Sequence, residues 1–299
     1  MSEDRITRPE PGLIRVLAPN PSPMTHTGTN TYIVGDRDVC VIDPGPLSED
    51  HLGTLLGLLD RVERVSAILV THSHLDHSPL AAPLGQATGA PVLAAGPSDW
   101  GRSPAMQALA DTAALGGGEG VDVAFTPDAR IGEGDRIDTD RGPLRILETP
   151  GHMANHLSFG WGDALFSGDL VMGWASSLIS PPDGDLAAFM ASVARLETRE
   201  DRVLYPGHGA PVPDPAGRCR ELLDHRKTRH AQIRAALSDA GAATASELAR
   251  AIYTDLQPGL LPAAARNVLA HLIALHDAGL ARVDGPLQKE SRFAHYGNG

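Results

Sequence analysis

The sequence predicts a layered α/β protein, with helices packed on sheets, followed by a small, mainly helical winged-helix-like module. Three observations carry this. Short apolar runs recur through the first two hundred residues and end repeatedly in Gly, Pro or Asp turns. Amphipathic helical stripes lie between some of those runs, and that mixture needs helices covering sheet faces. After "PGHGAPVPDPAG" the prolines stop and the chain turns basic and helical, which places a domain boundary near residue 216 and divides the chain into 1–216 and 217–299.

The strand candidates include, in order, "TYIVG", "CVIDPG", "SAILVTH", "PVLAAG", "LRILETPG", "HLSFGWG" and "RVLYPGHG". "DHLGTLLGLLDRV" places Leu52, Leu55, Leu56 and Leu59 on one helical face, and Leu186, Phe189, Met190, Val193 and Leu196 form a second stripe. Several strands adjoin without an intervening helix and no GxGxxG follows the first, which argues against a simple Rossmann fold. "GGGEG" at 116–120 lacks the Lys and Ser/Thr of a phosphate-binding loop and reads as a flexible connector. Beyond Arg218 a basic helical segment runs to about Ala236. "ASELARAIYTDL" and "PAAARNVLAHLIALHDAGLARVDG" then read as short helices ending at Gly279, before a small β-like piece.

A length of 299 residues suits one large domain plus a smaller one. The net charge of −12 argues against a protein built to coat nucleic acid, because its field repels a polyanion. With 42% apolar residues and no uninterrupted apolar run near the roughly 18 that a membrane span needs, a soluble protein with no membrane partner is expected. The start, "MSEDRITRPEPGLIRVL", carries charges and prolines where an export signal has an apolar segment, so a cytoplasmic location is expected. Cys40 and Cys219 read as two reduced thiols.

"THSHLDHS" at 71–78 crowds His72, His74 and His77 around Asp76 directly after the strand-like "AILV". Imidazole and carboxylate ligands suit divalent zinc, iron or manganese. A strand-to-helix turn lets His72 and His74 face one ion while Asp76 and His77 face another, and Ser78 and Pro79 read as the N-cap and first position of the next helix. Three later residues, each following a strand and a turn residue, extend the set: His152 in "ETPGHMANH", Asp169 in "FSGDL" and His208 in "LYPGHG".

These motifs, with Asp43 of "VIDPG", resemble the metallo-β-lactamase superfamily over roughly residues 12 to 215. The resemblance implies a four-layer αβ/βα sandwich with a binuclear site along one edge of the sheets. By that pattern His72, His74 and His152 hold the first metal, Asp76, His77 and His208 the second, and Asp169 bridges them. Asp43 orients the ligand loop, and Asp76 doubles as a proton acceptor. Two divalent ions, zinc first among the three metals, lower the pKa of water from about 15.7 towards 7, so hydroxide serves as nucleophile and no Ser or Cys is needed.

Asp169 and the lack of an export signal argue against the antibiotic-destroying lactamases. The glyoxalase II-like and lactamase-beta-2-like branches keep the full ligand set, and "GTNTYIVG", "DHRKTRHAQI" and the C-terminal helices resemble the second of them. The preferred expectation is hydrolysis of a small anionic ester or thioester, with single-stranded RNA cleavage as the enzymatic alternative. A metal-bearing nucleic-acid-binding regulator is the non-enzymatic one, and a homodimer is open. The family's glycine pair is replaced by Pro79-Leu80, and its Thr by Met153. Trp174, Ser176 and Ser177 after Asp169, with His156, are candidate pocket residues. Between 218 and 234 six basic residues face Glu221 and Asp224, a local excess of +4 that makes Arg226 and Arg229 candidates for an anionic substrate tail; the alternative is a solvated helix face paired through Glu221 and His225.

Overall fold

The computed structural model describes residues 5–112 and 120–296. "GGGEG" therefore lies outside the described residues apart from Gly120. The first sheet runs β1 (Ile6–Glu10), β2 (Leu13–Leu17), β3 (Asn30–Val34), β4 (Asp38–Ile42), β5 (Arg64–Leu69), β6 (Val92–Ala94) and β7 (Ala129–Arg130), neighbours in that order. Its first four strands pair antiparallel and the rest parallel. The crossovers carry α1 (Glu49–Leu59), α2 (Ala81–Thr88) and α3 (Pro104–Asp111). The second sheet contains β8 (Arg136–Ile137), β9 (Leu144–Glu148), β10 (Leu157–Trp161), β11 (Ala164–Gly168) and β12 (Val203–Pro206), with α4 (Leu186–Glu197) crossing between the last two.

Alternation along the strands builds the layers, because successive side chains point to opposite faces. Tyr32, Val34, Cys40, Ile42 and Leu69 of the first sheet meet Ile146, Leu157, Phe159 and Phe166 of the second in one buried cluster. Their neighbours Ile33, Val39, Val41 and Ile68 face the other way, onto Leu55 and Leu59 of α1 and Leu84 of α2. Behind the second sheet, Leu147, Leu165 and Leu204 pack on Phe189, Val193 and Leu196 of α4. The order helix, sheet, sheet, helix is the expected four-layer sandwich. Cys40 and Cys219 are buried and unbonded, and burial pushes both thiols up to about 12.

Helix α5 (Pro215–Ala240) packs on α4 and continues into the C-terminal module of β13 (Ala242–Ala243), α6 (Ala245–Ile252), α7 (Leu261–Asp277), β14 (Ala281–Val283) and β15 (Phe293–His295). The three short strands form an antiparallel sheet in the order β13, β15, β14. Apolar faces of α6 and α7 close on Ile233 and Leu237 of α5. Thr244 and Glu247 form a reciprocal capping box at the start of α6.

One local expectation needs correction. Ser78 and Pro79 do not open a helix: α2 begins at Ala81 behind Leu80, and the Ser78 hydroxyl is committed to Asp122 Oδ2 at 2.7 Å. The first sheet also has two strands ahead of "TYIVG", of which β1 is an edge strand containing Pro9, so its polar sequence carries little strand signal.

His51 on α1 is fully buried, and its Nε2 lies 2.9 Å from the Thr31 hydroxyl, which itself donates to the Asp43 carbonyl at 2.7 Å. The hydroxyl proton is thus spent, so the ring is neutral and donates from Nε2. Burial lowers its pKa to about 4. A folded pKa below the unfolded value means the unfolded chain takes up the proton first, so stability present above pH ~6.5 is lost as pH falls towards 4. We expect His51→Gln to be less stable than the parent at pH 7.5 in urea titrations, with that gap narrowing by up to about 3 kcal/mol by pH 4. A pH-independent gap would contradict this role.

Candidate metal centre

The centre lies where β4, β5, β9, β11 and β12 end on one edge of the sandwich. Asp43 follows β4 with φ +49, an uncommon conformation for a non-glycine residue, and its backbone N–H donates to Leu69 O at 2.9 Å. Its buried carboxylate accepts three hydrogen bonds: Thr71 N–H at 2.7 Å, Thr71 Oγ1–H at 2.7 Å and His77 Nδ1–H at 2.9 Å. The loop after β5 is therefore pinned to the end of β4.

Acceptors fix the histidine tautomers. His77 Nδ1 faces a carboxylate, His152 Nδ1 faces Leu178 O at 2.6 Å, and His208 Nδ1 faces Gly28 O at 3.1 Å; these oxygens only accept, so each Nδ1 carries the proton. Thr71 has given its proton to Asp43, so His72 Nδ1 donates to Thr71 Oγ1 at 3.0 Å. Four rings thus turn Nε2 towards the same volume, the arrangement in which imidazoles ligate metals.

The donor atoms fall into two groups. His72 Nε2 and His152 Nε2 lie 2.9 and 3.0 Å from His74 Nδ1. Asp76 Oδ2 lies 3.5 Å from His77 Nε2 and 3.2 Å from His208 Nε2. Asp169 stands between them, Oδ1 being 3.5 Å from His77 Nε2 and Oδ2 3.2 Å from His208 Nε2 and 3.8 Å from His152 Nε2. Its Oδ1 is buried and accepts no hydrogen bond. Clustered lone pairs and two carboxylates, one with an orphaned oxygen, fit divalent cations at both groups.

Electrostatics agree with that fit. Burial, then the neighbouring His152, lowers His74 to about 3, and burial holds His72 and His152 below the ordinary histidine value. Burial also opposes charge on His208, yet the carboxylates of Asp169 and Asp76 lift it to about 9, and His77 is raised by Asp76 and Asp169 against the same burial. Both carboxylates are held below their usual range, His77 and His208 outweighing burial. The first group offers neutral nitrogens, and in the second a cation displaces protons.

Three surrounding features have roles that the sequence does not announce. Asn30 donates from Nδ2 to Pro206 O and Gly209 O, both at 2.9 Å, and so holds the loop that carries His208. Thr29 Oγ1 donates to Asp76 Oδ2 at 3.3 Å. Gly207 has no side chain because a Cβ there would sit 2.3 Å from Asp169 Oδ1.

The remaining candidates divide. His156 is not among the grouped donors: its Nε2 accepts from Asp169 N–H at 3.2 Å and its Nδ1 pairs with Thr149 Oγ1 at 2.9 Å, so it positions Asp169. Ser177 Oγ donates to Asp169 O. Ser176 Oγ is buried without a partner, and Trp174 stacks on His26 at 4.8 Å; neither lines the cavity described below. Arg226 and Arg229 are corrected. Arg226 is buried, donates to Ser177 O and to Asn267 Oδ1 at 3.1 Å, and lies over the Phe189 ring; Arg229 lies over Tyr253 at 4.3 Å. The basic helix grips the 172–178 loop instead, with Arg218 donating to Met172 O and Ala175 O at 2.8 and 2.9 Å. Arg218 also takes Glu221 at 2.7 Å, the carboxylate expected to face His225.

A cavity of about 850 Å³ opens from His74, Asp76, His152, Asp169 and His208 and runs between the sandwich and the C-terminal module. Its far wall comes from α6, the 3-10 turn Pro258–Leu260 and α7.

Known proteins share both parts of the chain. Residues 24–208 match the metallo-beta-lactamase superfamily, and residues 244–289 match the beta-lactamase associated winged helix domain. A Drosophila melanogaster protein named beta-lactamase-like protein 2 homolog is 28% identical over 298 residues, covering 95% of this chain and 94% of that protein. An Aspergillus fumigatus protein named atrochrysone carboxyl ACP thioesterase is 29% identical over 273 residues, covering 85% and 75%. The crystal structure of a metallo-beta-lactamase family protein from Thermus thermophilus is 26% identical with a TM-score of 0.76, covering 96% and 99%.

We expect Asp43→Ala, which removes no donor atom, to weaken metal retention about 10- to 100-fold in competition with a chromogenic chelator. Asp169→Ala should lower occupancy of both positions in elemental analysis. Two tightly held ions in that variant would rule out a bridging role for Asp169.

Proposed function

The chain belongs to the metallo-beta-lactamase superfamily and is a metal-dependent hydrolase, and we propose that it cleaves thioesters with two divalent ions. His72, His74 and His152 would hold one ion and Asp76, His77 and His208 the other, with Asp169 shared. Bound there, the ions supply Lewis acidity towards a carbonyl oxygen and lower the pKa of water. Zinc, iron and manganese all accept this donor set.

The observation that carries the reading is the cavity, which leads from the donor cluster into a largely apolar space rather than along a cationic groove. Of its lining cations, Arg266 is buried and donates to Pro181 O at 3.4 Å, which leaves Arg250 and Lys289 on the exposed side. A polyanion such as RNA needs a continuous track of positive charge. The A. fumigatus relative named as a thioesterase supports the same substrate class.

The leaving group points the same way. His152 and His208 commit their second nitrogens to backbone carbonyls, so neither has an N–H to spare for a departing amine. Asp76, partly exposed to the cavity and held by Thr29, is placed to take a proton from water. In the balanced reaction the water oxygen bonds to the carbonyl carbon, the C–S bond breaks and its electron pair leaves on sulfur. One water proton ends on the thiol and the other is released by the carboxylic acid. A thiol with pKa near ~8.5 leaves readily as thiolate, whereas an amine needs a general acid.

Metal-reconstituted protein should release thiol from acyl thioesters, followed with a thiol-reactive dye. Chelation should abolish turnover and Asp76→Ala should lower kcat about 10²- to 10⁴-fold. Cleavage of single-stranded RNA with no thiol release, lost in Asp76→Ala, would overturn the thioester reading.

A further inference from the structure

We propose that the acyl half of the substrate is bulky and apolar, and that α7 is the wall that selects it. This rests on the thioesterase reading. The cavity begins at the donor cluster, and its interior is faced by Met24, Val121 and Leu178 from the sandwich and by Leu261, Ala265 and Leu269 from the C-terminal module. Its volume, about 850 Å³, is at the upper end for small-molecule sites. A two- or three-carbon acyl group, or the hydroxylated one of a lactoyl thioester, would leave most of that wall against water.

The wall is held in place from behind. Asn267 Oδ1 accepts both Ile179 N–H at 3.0 Å and Arg226 at 3.1 Å, and Arg226 also reaches Ser177 O, so α7, α5 and the segment that bears Leu178 form one unit. The space is therefore a standing feature of the packing between the two modules. Met24, a flexible and polarisable side chain, is 46% exposed at the same cavity and suits acyl groups of varied shape. Of the charged lining residues beyond the donor cluster, Arg250, Lys289 and Glu290 are exposed, while the buried Arg266 and Asp183 engage Pro181 O at 3.4 Å and Arg102 at 2.8 Å, so most of the remaining wall is apolar.

The test uses the metal-loaded full chain and S-acyl-N-acetylcysteamine thioesters from acetyl to octanoyl, with S-lactoylglutathione alongside. We expect kcat/KM to rise about threefold per added methylene, the transfer of each CH₂ out of water being realised in the bound state. The uncleavable S-octyl thioether should bind at least about 30-fold more tightly than the S-ethyl one in calorimetry, a readout independent of turnover. Ala265→Trp fills the wall and should lower the octanoyl-to-acetyl ratio at least about tenfold; Ala263→Trp, one position from Pro262 on the same wall, provides a second variant, each checked for an unchanged melting profile. Thioester turnover that is flat with chain length, or best with S-lactoylglutathione, would overturn the acyl proposal and leave the thioesterase reading standing. Metal-loaded protein that cleaves none of these thioesters would overturn both.

Discussion

The donor cluster is organised by the carboxylate of Asp43. It is buried, it accepts three hydrogen bonds, and all three come from the loop that carries four of the seven donor residues. A buried carboxylate left unpaired costs several kcal/mol, so the loop can satisfy it only in the conformation observed. That conformation turns His77 Nε2 inward directly and His72 Nε2 inward through Thr71. The Asp43 carbonyl in turn accepts from Thr31, whose hydroxyl receives His51 from α1. The helix layer, the first sheet and the loop are thus tied at one residue, and the strain of its left-handed backbone is carried by that network.

The other half of the cluster relies on a second set of ties, made by backbone rather than by a carboxylate. The segment 177–179 receives His152 on Leu178 O, donates from Ser177 to Asp169 O, and is held from behind by Arg226 and Asn267. Arg226 binds a carbonyl and an amide oxygen rather than a carboxylate, and burial lowers its pKa to about 10. Such an arginine is costly unless its donors are used, which makes it an effective rivet between the C-terminal module and the donor cluster. The module contributes twice, by fixing that segment and by supplying the far wall of the cavity.

Much of this is legible in the sequence. Histidines and aspartates in a fixed order, each after an apolar run and a turn, name all seven donors once their resemblance to the metallo-β-lactamase pattern is recognised, and the strand ends that carry them share one edge of the sheets. Helix stripes such as Leu55 and Leu59 or Phe189 and Val193 show which faces are buried. Residues whose role depends on partners far along the chain are not legible. Arg226 reads as a surface cation because its neighbours in sequence are basic, yet its environment is set by Ser177, Asn267 and Phe189. Asn30 and Gly207 act through contacts between distant parts of the chain and through lack of space, neither of which leaves a local signature. Ser78 follows the local rule for a helix cap and loses to a tertiary partner, Asp122.

On the proposed reading, two groups of side chains joined by Asp169 hold two cations. Anomalous diffraction from crystals grown with zinc, collected on either side of the zinc absorption edge, tests this without reference to any substrate. Two peaks are expected, one bounded by His72, His74 and His152 and one by Asp76, His77 and His208, both within reach of Asp169. A single peak, or none at full zinc saturation, would refute the two-cation arrangement.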